Sequence, residues 1–276
     1  MLEFKISEEK CIECSLCAQD CPVGIIEMKP KPIIRKEREH NCLKCQHCLA
    51  ICPTAALSIL GKKPEDSIAV KEDNPNTDSL SRMIKTRRSI RKYKKEDLDQ
   101  ELIQELLEIA AYAPTGHNDN AVLISLIDNR TDLHLFREKI YNAIKQAKKN
   151  GTLPKQHELL AYFQRMWENN GIDILFRDAP HMVIATAPAA DASPMADCMI
   201  SLSYFELMAN AKGVGTLWNG LIKWVLDDIS PELRTSLGIP ENHLTGYVML
   251  FGKPAVKYAR GIQSEGLQIN RIKLRE

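Results

Sequence analysis

The sequence lacks any apolar run approaching the roughly 18 residues that a membrane-spanning helix needs, although 44% of its 276 residues are hydrophobic. The segment from Met1 to Lys10 is charged and contains no apolar stretch of the kind found in secretory signals. Neither sign of charge prevails, since 37 basic residues face 36 acidic ones. We therefore expect a cytoplasmic protein that binds neither a membrane nor nucleic acid, because nucleic-acid binders usually carry a basic excess.

Several signatures of enzyme chemistry are also missing. There is no catalytic triad, no Walker phosphate loop and no convincing G-x-G-x-x-G, so we expect no dedicated dinucleotide domain and name no catalytic side chain. Cysteine is scarce over most of the chain, since only Cys198 lies beyond Cys52. In a chain without an export signal, the cysteines that cluster before this point are more typical of metal ligands than of disulfides.

The clustered cysteines form an internal repeat. The segment from Cys11 to Pro22 has the spacing C-x2-C-x2-C-x3-C-P, and the same spacing recurs 31 residues later, from Cys42 to Pro53. Zinc sites usually contain separated C-x2-C pairs rather than three cysteines at a spacing of two. The spacing is instead that of bacterial ferredoxins. The repeat therefore predicts two [4Fe–4S] clusters within the first sixty or so residues.

Residues 1–60 resemble two-cluster ferredoxins, in which the fourth cysteine of each run binds the cluster of the other run. The resemblance implies two ligand sets, each with three cysteines from one run and one from the other. The first set is Cys11, Cys14, Cys17 and Cys52, and the second is Cys42, Cys45, Cys48 and Cys21. So small a segment buries little surface, so we expect the clusters to stabilise it.

The character of the chain changes after the repeat. We expect a ferredoxin domain over residues 1–61, a polar and Pro-punctuated linker over 62–78, and a second domain over 79–276. Apolar periodicity in the second domain predicts helices at 97–113, 131–149, 154–170 and 196–212, and strands at 121–127, 180–187 and 245–251. Because helices and strands interleave irregularly, the predicted class is α+β.

A basic segment opens the second domain. Between Ser81 and Lys95 lie eight basic residues and no acidic one. This pattern fits a solvated helix face, a nucleic-acid contact or a phosphate site, since arginine forks match phosphate oxygens. The order Arg87-Arg88-Ser89-Ile90-Arg91 favours the phosphate site, because it resembles the R-R-S-x-R segment near the start of the nitroreductase family of FMN-dependent flavoproteins.

Three further segments resemble this family, in its order. Residues 113–118 (APTGHN) resemble its A-P-S-S-x-N loop, and residues 213–220 (GVGTLWNG) resemble its G-L-G-S-x-W-x-G segment. Gly252-Lys253-Pro254, followed by Arg260, resembles its G-x-P…R tail. Residues 119–122 depart from the family's N-x-Q-P-W continuation, so substrate inferences tied to that stretch are not carried over. On four ordered matches, residues 80–260 are identified as a nitroreductase-like α+β domain.

The resemblance implies which residues bind FMN. The phosphate and ribityl chain would be held by Arg87, Arg88, Ser89 and Arg260. Arg91 would face the N1/O2 edge of the flavin, and backbone groups of Trp218, Asn219 and Gly220 would meet its N5/O4 edge. Family members are intertwined homodimers, so the loop with Pro114, Thr115, Gly116 and Asn118 would contact the flavin of the other subunit.

Together these features predict an oxidoreductase that passes electrons through two [4Fe–4S] clusters and FMN to a small organic acceptor. In this family the acceptor is often a nitroaromatic or a quinone, and sometimes an activated alkene; the donor would be reduced ferredoxin or NAD(P)H. One alternative is an NAD(P)H-reduced nitroreductase with non-catalytic clusters. Another is a non-enzymatic electron-transfer protein.

Overall fold

The computed structural model describes residues 2–70 and 76–274. Residues 71–75, which fall in the expected linker, lie outside the described residues. The chain divides into two compact units, Met1–Asn74 with Thr115–Asn120, and Pro75–Pro114 with Ala121–Glu276. Within the described residues, no helix has the length and apolar character that crossing a bilayer requires.

The first unit is built from short elements. They are β1 (Lys5–Ile6), α1 (Leu16–Gln19), β2 (Ile26–Lys29), β3 (Lys31–Ile34), α2 (His47–Ala50) and β4 (Leu57–Ser58). β1 pairs with β4 and β2 pairs with β3, both antiparallel. Ile25, Leu57 and Ile59 are almost fully buried in a small core that also includes Cys17 and Cys48.

The sequence repeat of the first unit is also a repeat of backbone conformation. Ser15 and Gln46, which precede α1 and α2, both adopt left-handed backbone angles, with φ of 60° and 59°. Glu13 and Lys44, two residues earlier, do the same at 56° and 55°. Residues with a side chain rarely adopt this conformation. Its recurrence at equivalent positions indicates that both cysteine loops are bent in the same way.

The second unit is a four-stranded antiparallel sheet with helices on both faces. Its strands are β5 (Leu123–Ile127), β6 (His181–Pro188), β7 (Gly215–Trp218) and β8 (His243–Gly252), in the order β5-β6-β8-β7. Its helices are α3 (Thr77–Thr86), α4 (Gln100–Ala110), α5 (Arg130–Lys149), α6 (Glu158–Asn170), α7 (Pro194–Ala211) and α8 (Gly220–Trp224). The α+β class that the sequence predicts is confirmed.

The central strand β6 is apolar on both sides because both of its faces are covered. Met182 and Ile184 pack in a core with residues of α5 and α6, whereas Val183 and Ala185 pack with residues of α4 and α7. Successive side chains of a strand point to opposite faces, so this division follows from the pleat. Cys198 on α7 is fully buried in the second of these cores, as expected for a small apolar residue.

The predicted helix over 97–113 is shorter in the structure. It begins after Asp99, whose side chain accepts a hydrogen bond from the backbone N–H of Glu101 at 2.8 Å. An acidic residue before the first turn is a favourable cap, since it satisfies a helix N–H that has no intrahelical partner. α7 ends just before Gly213, the position where the sequence predicts its end.

Candidate functional site

The first unit contains two cavities that are lined by cysteines. Each contains about 350 Å³ of space outside protein atoms, part of which is open to solvent. Each cavity takes three cysteines from one run of the repeat and the fourth from the other run. One is lined by Cys11, Cys14, Cys17 and Cys52, and the other by Cys42, Cys45, Cys48 and Cys21. The structure thus brings together the four cysteines of each predicted ligand set.

The donor set of these cavities fits an iron–sulfur cluster. All eight cysteines are free of disulfide bonds. Over residues 2–70 and 76–274, no three His, Cys, Asp or Glu side chains converge as they would on a single metal ion. The four thiols of each cavity surround a volume rather than a point, and four cysteines around such a volume are the ligands of a [4Fe–4S] cluster.

The cysteines of each cavity are close enough to affect one another's ionisation. Burial, with smaller contributions from the neighbouring Cys42, Cys45 and Cys21, raises the pKa of Cys48 to about 12. Burial, together with two cysteines of its own cavity, also raises the pKa of Cys17. Metal ions deprotonate the thiols that bind them. A positively charged cluster core would therefore offset both burial and the mutual repulsion of the thiolates.

Backbone N–H groups point at two of the sulfur atoms. The N–H of Ala56 donates to Cys52 Sγ at 3.3 Å, and the N–H of Lys44 donates to Cys42 Sγ at 3.4 Å. Although burial acts to raise the pKa of Cys52, hydrogen bonds from the N–H groups of Ala56 and Thr54 bring it below the usual value. Such hydrogen bonds to sulfur are among the features that set cluster potentials.

In the second unit, the basic segment runs beside β7. Ser89 pairs with Thr216 in a parallel bridge, and the N–H of Ile90 donates to the carbonyl of Thr216 at 2.8 Å. The approach is tight, because a Cβ on Gly215 would lie 2.5 Å from Cγ1 of Ile90. Glycine at this position therefore allows the segment after Arg87 to lie against the strand.

The contacts of Arg87 and Arg88 in this segment bear on the predicted phosphate site. Arg87 Nη1 lies 3.1 Å from Oε1 of Glu206, and Arg88 Nη2 donates to the carbonyl of Lys85 at 3.4 Å. Arg88 Nε is buried and has no hydrogen-bond partner in the described part of the chain. A buried donor without an acceptor is unfavourable. A phosphate oxygen would satisfy this donor, so the residues present fit the predicted phosphate site. Arg91, which the resemblance assigns to the N1/O2 edge of the flavin, is exposed.

The tail of the second unit returns to the end of α3. The backbone of Gly261 comes so close to Lys85 that a Cβ on the glycine would lie 2.9 Å from the lysine carbonyl oxygen. This approach brings the neighbouring Arg260 to the same end of the helix as Arg87 and Arg88. Arg260 is exposed. The three arginines predicted to bind the phosphate therefore lie in one region of the second unit.

Trp218–Gly220 lie where β7 ends and α8 begins. Asn219 caps α8, because its Oδ1 accepts from the N–H of Ile222 at 2.9 Å. Its Nδ2 donates to the carbonyl of Leu175 at 2.7 Å, and its backbone N–H donates to the carbonyl of Val248 at 2.8 Å. The protein itself thus uses the side chain and the backbone N–H of Asn219, and these contacts fix the position of the turn between β7 and α8.

Leu175 belongs to a segment that is held by a buried carboxylate. Asp173 accepts hydrogen bonds from the hydroxyl of Tyr141 at 2.8 Å and from the N–H of Phe176 at 2.9 Å. Its Oδ2 lies 2.9 Å from Nε of Arg137. This network supports the carbonyl that anchors Asn219. The sequence analysis did not identify it, because its charged members lie on separate segments.

The loop Thr115–Asn120 groups with the first unit. Asn118 Nδ2 donates to the carbonyl of Leu43, the residue after Cys42, at 3.0 Å. Within the loop, the N–H of Asn120 donates to Oγ1 of Thr115 at 3.0 Å. Thr115, Gly116 and Asn118 therefore belong to the unit that contains the cysteines, whereas Pro114 and the other predicted flavin residues belong to the second unit.

The fold and the cysteine-lined cavities define a class of protein, an oxidoreductase with an iron–sulfur domain. The nitroreductase family model matches residues 84–253, and the model of the 4Fe-4S dicluster domain matches residues 10–71. Since the first match covers more than half of the chain, the protein belongs to the nitroreductase family. The fusion that the two sequence resemblances predict is confirmed.

Proteins similar to this chain occur in archaea and bacteria. A Methanothermobacter thermautotrophicus protein, assigned by name to the NADH dehydrogenase/NAD(P)H nitroreductases, is 28% identical over 176 residues, or 62% of this chain and 75% of the relative. An Archaeoglobus fulgidus protein of the same name is 25% identical over 177 residues, or 63% and 84%. The crystal structure of a Bacteroides fragilis nitroreductase with bound FMN matches with a TM-score of 0.57 and 25% identity, covering 71% of this chain and 100% of that one.

Proposed function

We propose that the protein passes electrons through two [4Fe–4S] clusters and FMN to a small organic acceptor. The observation that carries the proposal is the presence, in one nitroreductase-family chain, of two cavities lined by four cysteines each. When bound, the clusters exchange single electrons and FMN can collect two of them for hydride transfer. A chain that holds both kinds of group is suited to convert one-electron donors into a two-electron reductant.

The chain's own residues would hold FMN in the second unit. Arg87, Arg88, Ser89 and Arg260 bind the phosphate and ribityl chain in this proposal, which is supported by the buried and unpartnered Arg88 Nε. Arg91 faces the N1/O2 edge, where a fixed cation stabilises the negative charge that reduction brings. Backbone groups of Trp218–Gly220 meet the N5/O4 edge. The FMN in the Bacteroides fragilis nitroreductase supports the choice of cofactor.

The loop Thr115–Asn120 is also part of the proposed flavin site. The family resemblance assigns this loop to flavin binding in the other subunit. In the structure the loop belongs to the unit that contains the cysteines, and Asn118 contacts the residue that follows Cys42.

The homodimer is part of the same proposal. Exposed apolar side chains are concentrated at the end of the second unit, where Ile262, Leu267, Ile269 and Leu274 are between 67% and 92% exposed. A second copy of the chain would remove these side chains from water. A cytoplasmic location stays a prediction.

The proposal has two versions, which differ in whether NAD(P)H or a low-potential protein donates the electrons. The archaeal relatives carry NAD(P)H in their names, which favours an enzyme reduced directly by NAD(P)H. The two cysteine-lined cavities favour a low-potential protein donor such as reduced ferredoxin. Membership of the nitroreductase family disfavours the alternative of a non-enzymatic electron carrier.

The donor is identified by adding NADH, NADPH or reduced ferredoxin to the anaerobically purified protein and following its visible spectrum and its EPR signals. If reduced ferredoxin reduces clusters and flavin together while NAD(P)H reacts slowly, the proposed route stands. Rapid reduction of the flavin by NAD(P)H while the clusters stay oxidised would contradict it. The acceptor class is then found by reoxidising the reduced protein with a nitroaromatic, a quinone or an activated alkene.

The FMN site is tested by the double substitution Arg87→Ala and Ser89→Ala. Charge-assisted hydrogen bonds contribute about 1.5–3 kcal/mol each, so FMN should bind at least about tenfold more weakly. Iron content should stay at about eight atoms per chain, because the cysteines are unchanged. Lys92→Ala, which removes an exposed charge from the same segment, is the matched control. Unchanged flavin content in the double variant would remove the proposed phosphate site.

A further inference from the structure

Glu206 is a carboxylate inside the mostly apolar helix α7. Its side chain is only 11% exposed, and its Oε1 lies 3.1 Å from Nη1 of Arg87, a residue 119 positions earlier in the chain. The same oxygen accepts a hydrogen bond from Oγ1 of Thr216 at 3.0 Å. Burying a carboxylate is unfavourable unless it is paired and hydrogen-bonded. Here both conditions are met by residues of the proposed FMN site or its immediate support.

The two contacts of Glu206 fix two parts of the site at once. Thr216 lies on β7, where it pairs with Ser89 and accepts the N–H of Ile90. Arg87 follows α3 and supplies the guanidinium. A guanidinium has five N–H donors in a rigid fork, so one acceptor at Nη1 leaves others for a second anion. Glu206 therefore orients the guanidinium relative to the backbone of Ser89 without using up its donors.

Glu206 has two opposing effects on phosphate binding, one through its charge and one through the orientation of Arg87. A carboxylate next to the site repels a phosphate, whereas a guanidinium held in place loses less side-chain freedom when the phosphate binds. A buried acidic residue at this position would weaken binding if it had no orienting role. Its pairing with both Arg87 and Thr216 favours the orienting role.

We propose that Glu206 is a positioning residue that holds the Arg87 guanidinium ready for the phosphate of FMN. The inference rests on the proposed FMN site and adds a residue that acts on the cofactor only through Arg87. Glu206 should therefore affect the binding of flavins that carry a phosphate and have little effect on flavins that lack one.

Flavin binding to the apoprotein tests this inference, with FMN and riboflavin as the two probes and fluorescence quenching as the signal. Glu206→Gln keeps an oxygen for Thr216 and removes the charge that holds Arg87. We expect FMN to bind about tenfold more weakly, which corresponds to roughly 1.4 kcal/mol, with riboflavin affinity unchanged. Glu105→Gln is the matched control. It removes a carboxylate that pairs with Lys212, an exposed residue at the end of α7, the helix that contains Glu206.

A double-mutant cycle separates this inference from the proposed site. If Glu206 acts through Arg87, Glu206→Gln should change FMN affinity in the natural protein but not in the Arg87→Ala background. Equal weakening of FMN and riboflavin would show a general structural role and overturn the inference, as would unchanged or tighter FMN binding. If Arg87→Ala alone left FMN affinity unchanged, the phosphate site itself would fail. Thermal unfolding of each apoprotein checks that the variants are folded.

Discussion

The buried carboxylate of Asp173 offers a quantitative test of how the second unit supports its site. Asp173 is fully buried, and its partner Arg137 is 10% exposed at the side chain. The N–H of Arg137 Nε is not aligned with the carboxylate as a hydrogen bond, so their attraction is mainly Coulombic. The substitution Asp173→Ala would leave the guanidinium buried without its counter-charge and would remove the acceptor of the Tyr141 hydroxyl.

The expected size of this effect follows from the burial of the pair. Removing one partner of a buried ion pair costs about 3–5 kcal/mol. The loss of the tyrosine hydrogen bond acts on the same carboxylate, so the two effects are not simply additive. We expect the free energy of unfolding of Asp173→Ala to fall by about 4 kcal/mol. For a unit of this size, that corresponds to a melting temperature lower by roughly 10 °C.

The assay is denaturant unfolding of the apoprotein, compared with two other variants. Glu168→Gln breaks the exposed pair with Lys145 on α5 and α6 and should cost less than about 1 kcal/mol. Arg137→Met combined with Asp173→Leu removes both charges and should be less destabilising than Asp173→Ala alone. A cost below about 1 kcal/mol for Asp173→Ala, or a double variant that is equally unstable, would refute the reasoning.

Two further predictions concern the cysteines and a buried histidine. If the ligands cross between runs, Cys11→Ser combined with Cys52→Ser should remove one cluster and leave about half of the iron; loss of nearly all iron would show that the ligands do not cross. Burial lowers the pKa of His181, whose Nε2 accepts the N–H of Leu98 at 2.8 Å. Below about pH 6.5 the unfolded chain therefore binds more protons than the folded chain, and the free energy of unfolding should fall as pH is lowered. Urea titrations between about pH 7.5 and 5.5 should show a weaker pH dependence for His181→Asn; identical slopes would contradict the assignment.

The features that sequence reasoning predicted are those with local signals. The spacing of Cys11 to Cys17 and of Cys42 to Cys48 indicated both cavities because each run is continuous in sequence. The crossing of Cys21 and Cys52 came from the resemblance to ferredoxins. Periodicity also predicted the strands that became β5, β6 and β8, since all three are largely apolar and β6 and β8 are also largely buried.

The features that sequence reasoning missed depend on distant partners. Glu206 lies in an apolar helix and pairs with a residue 119 positions away, so no spacing rule connects the two. Asp173 likewise joins residues of α5 to a loop. The placement of Thr115–Asn120 in the first unit could not be predicted either, because neighbouring residues in the sequence belong to the second. A charged residue in an apolar stretch was the only signal available for Glu206.

Each cavity takes its fourth cysteine from the other run, and this exchange determines when, during synthesis of the chain, each set of cysteines becomes complete. The cavity lined by Cys11, Cys14 and Cys17 stays open until Cys52 has been added, although its first three cysteines are made much earlier. The other cavity is complete when Cys48 is added, because Cys21 is already present. Both sets are therefore completed within a few residues of each other on the ribosome. A nascent chain that is cut short before this point offers the cellular assembly machinery no complete site at all.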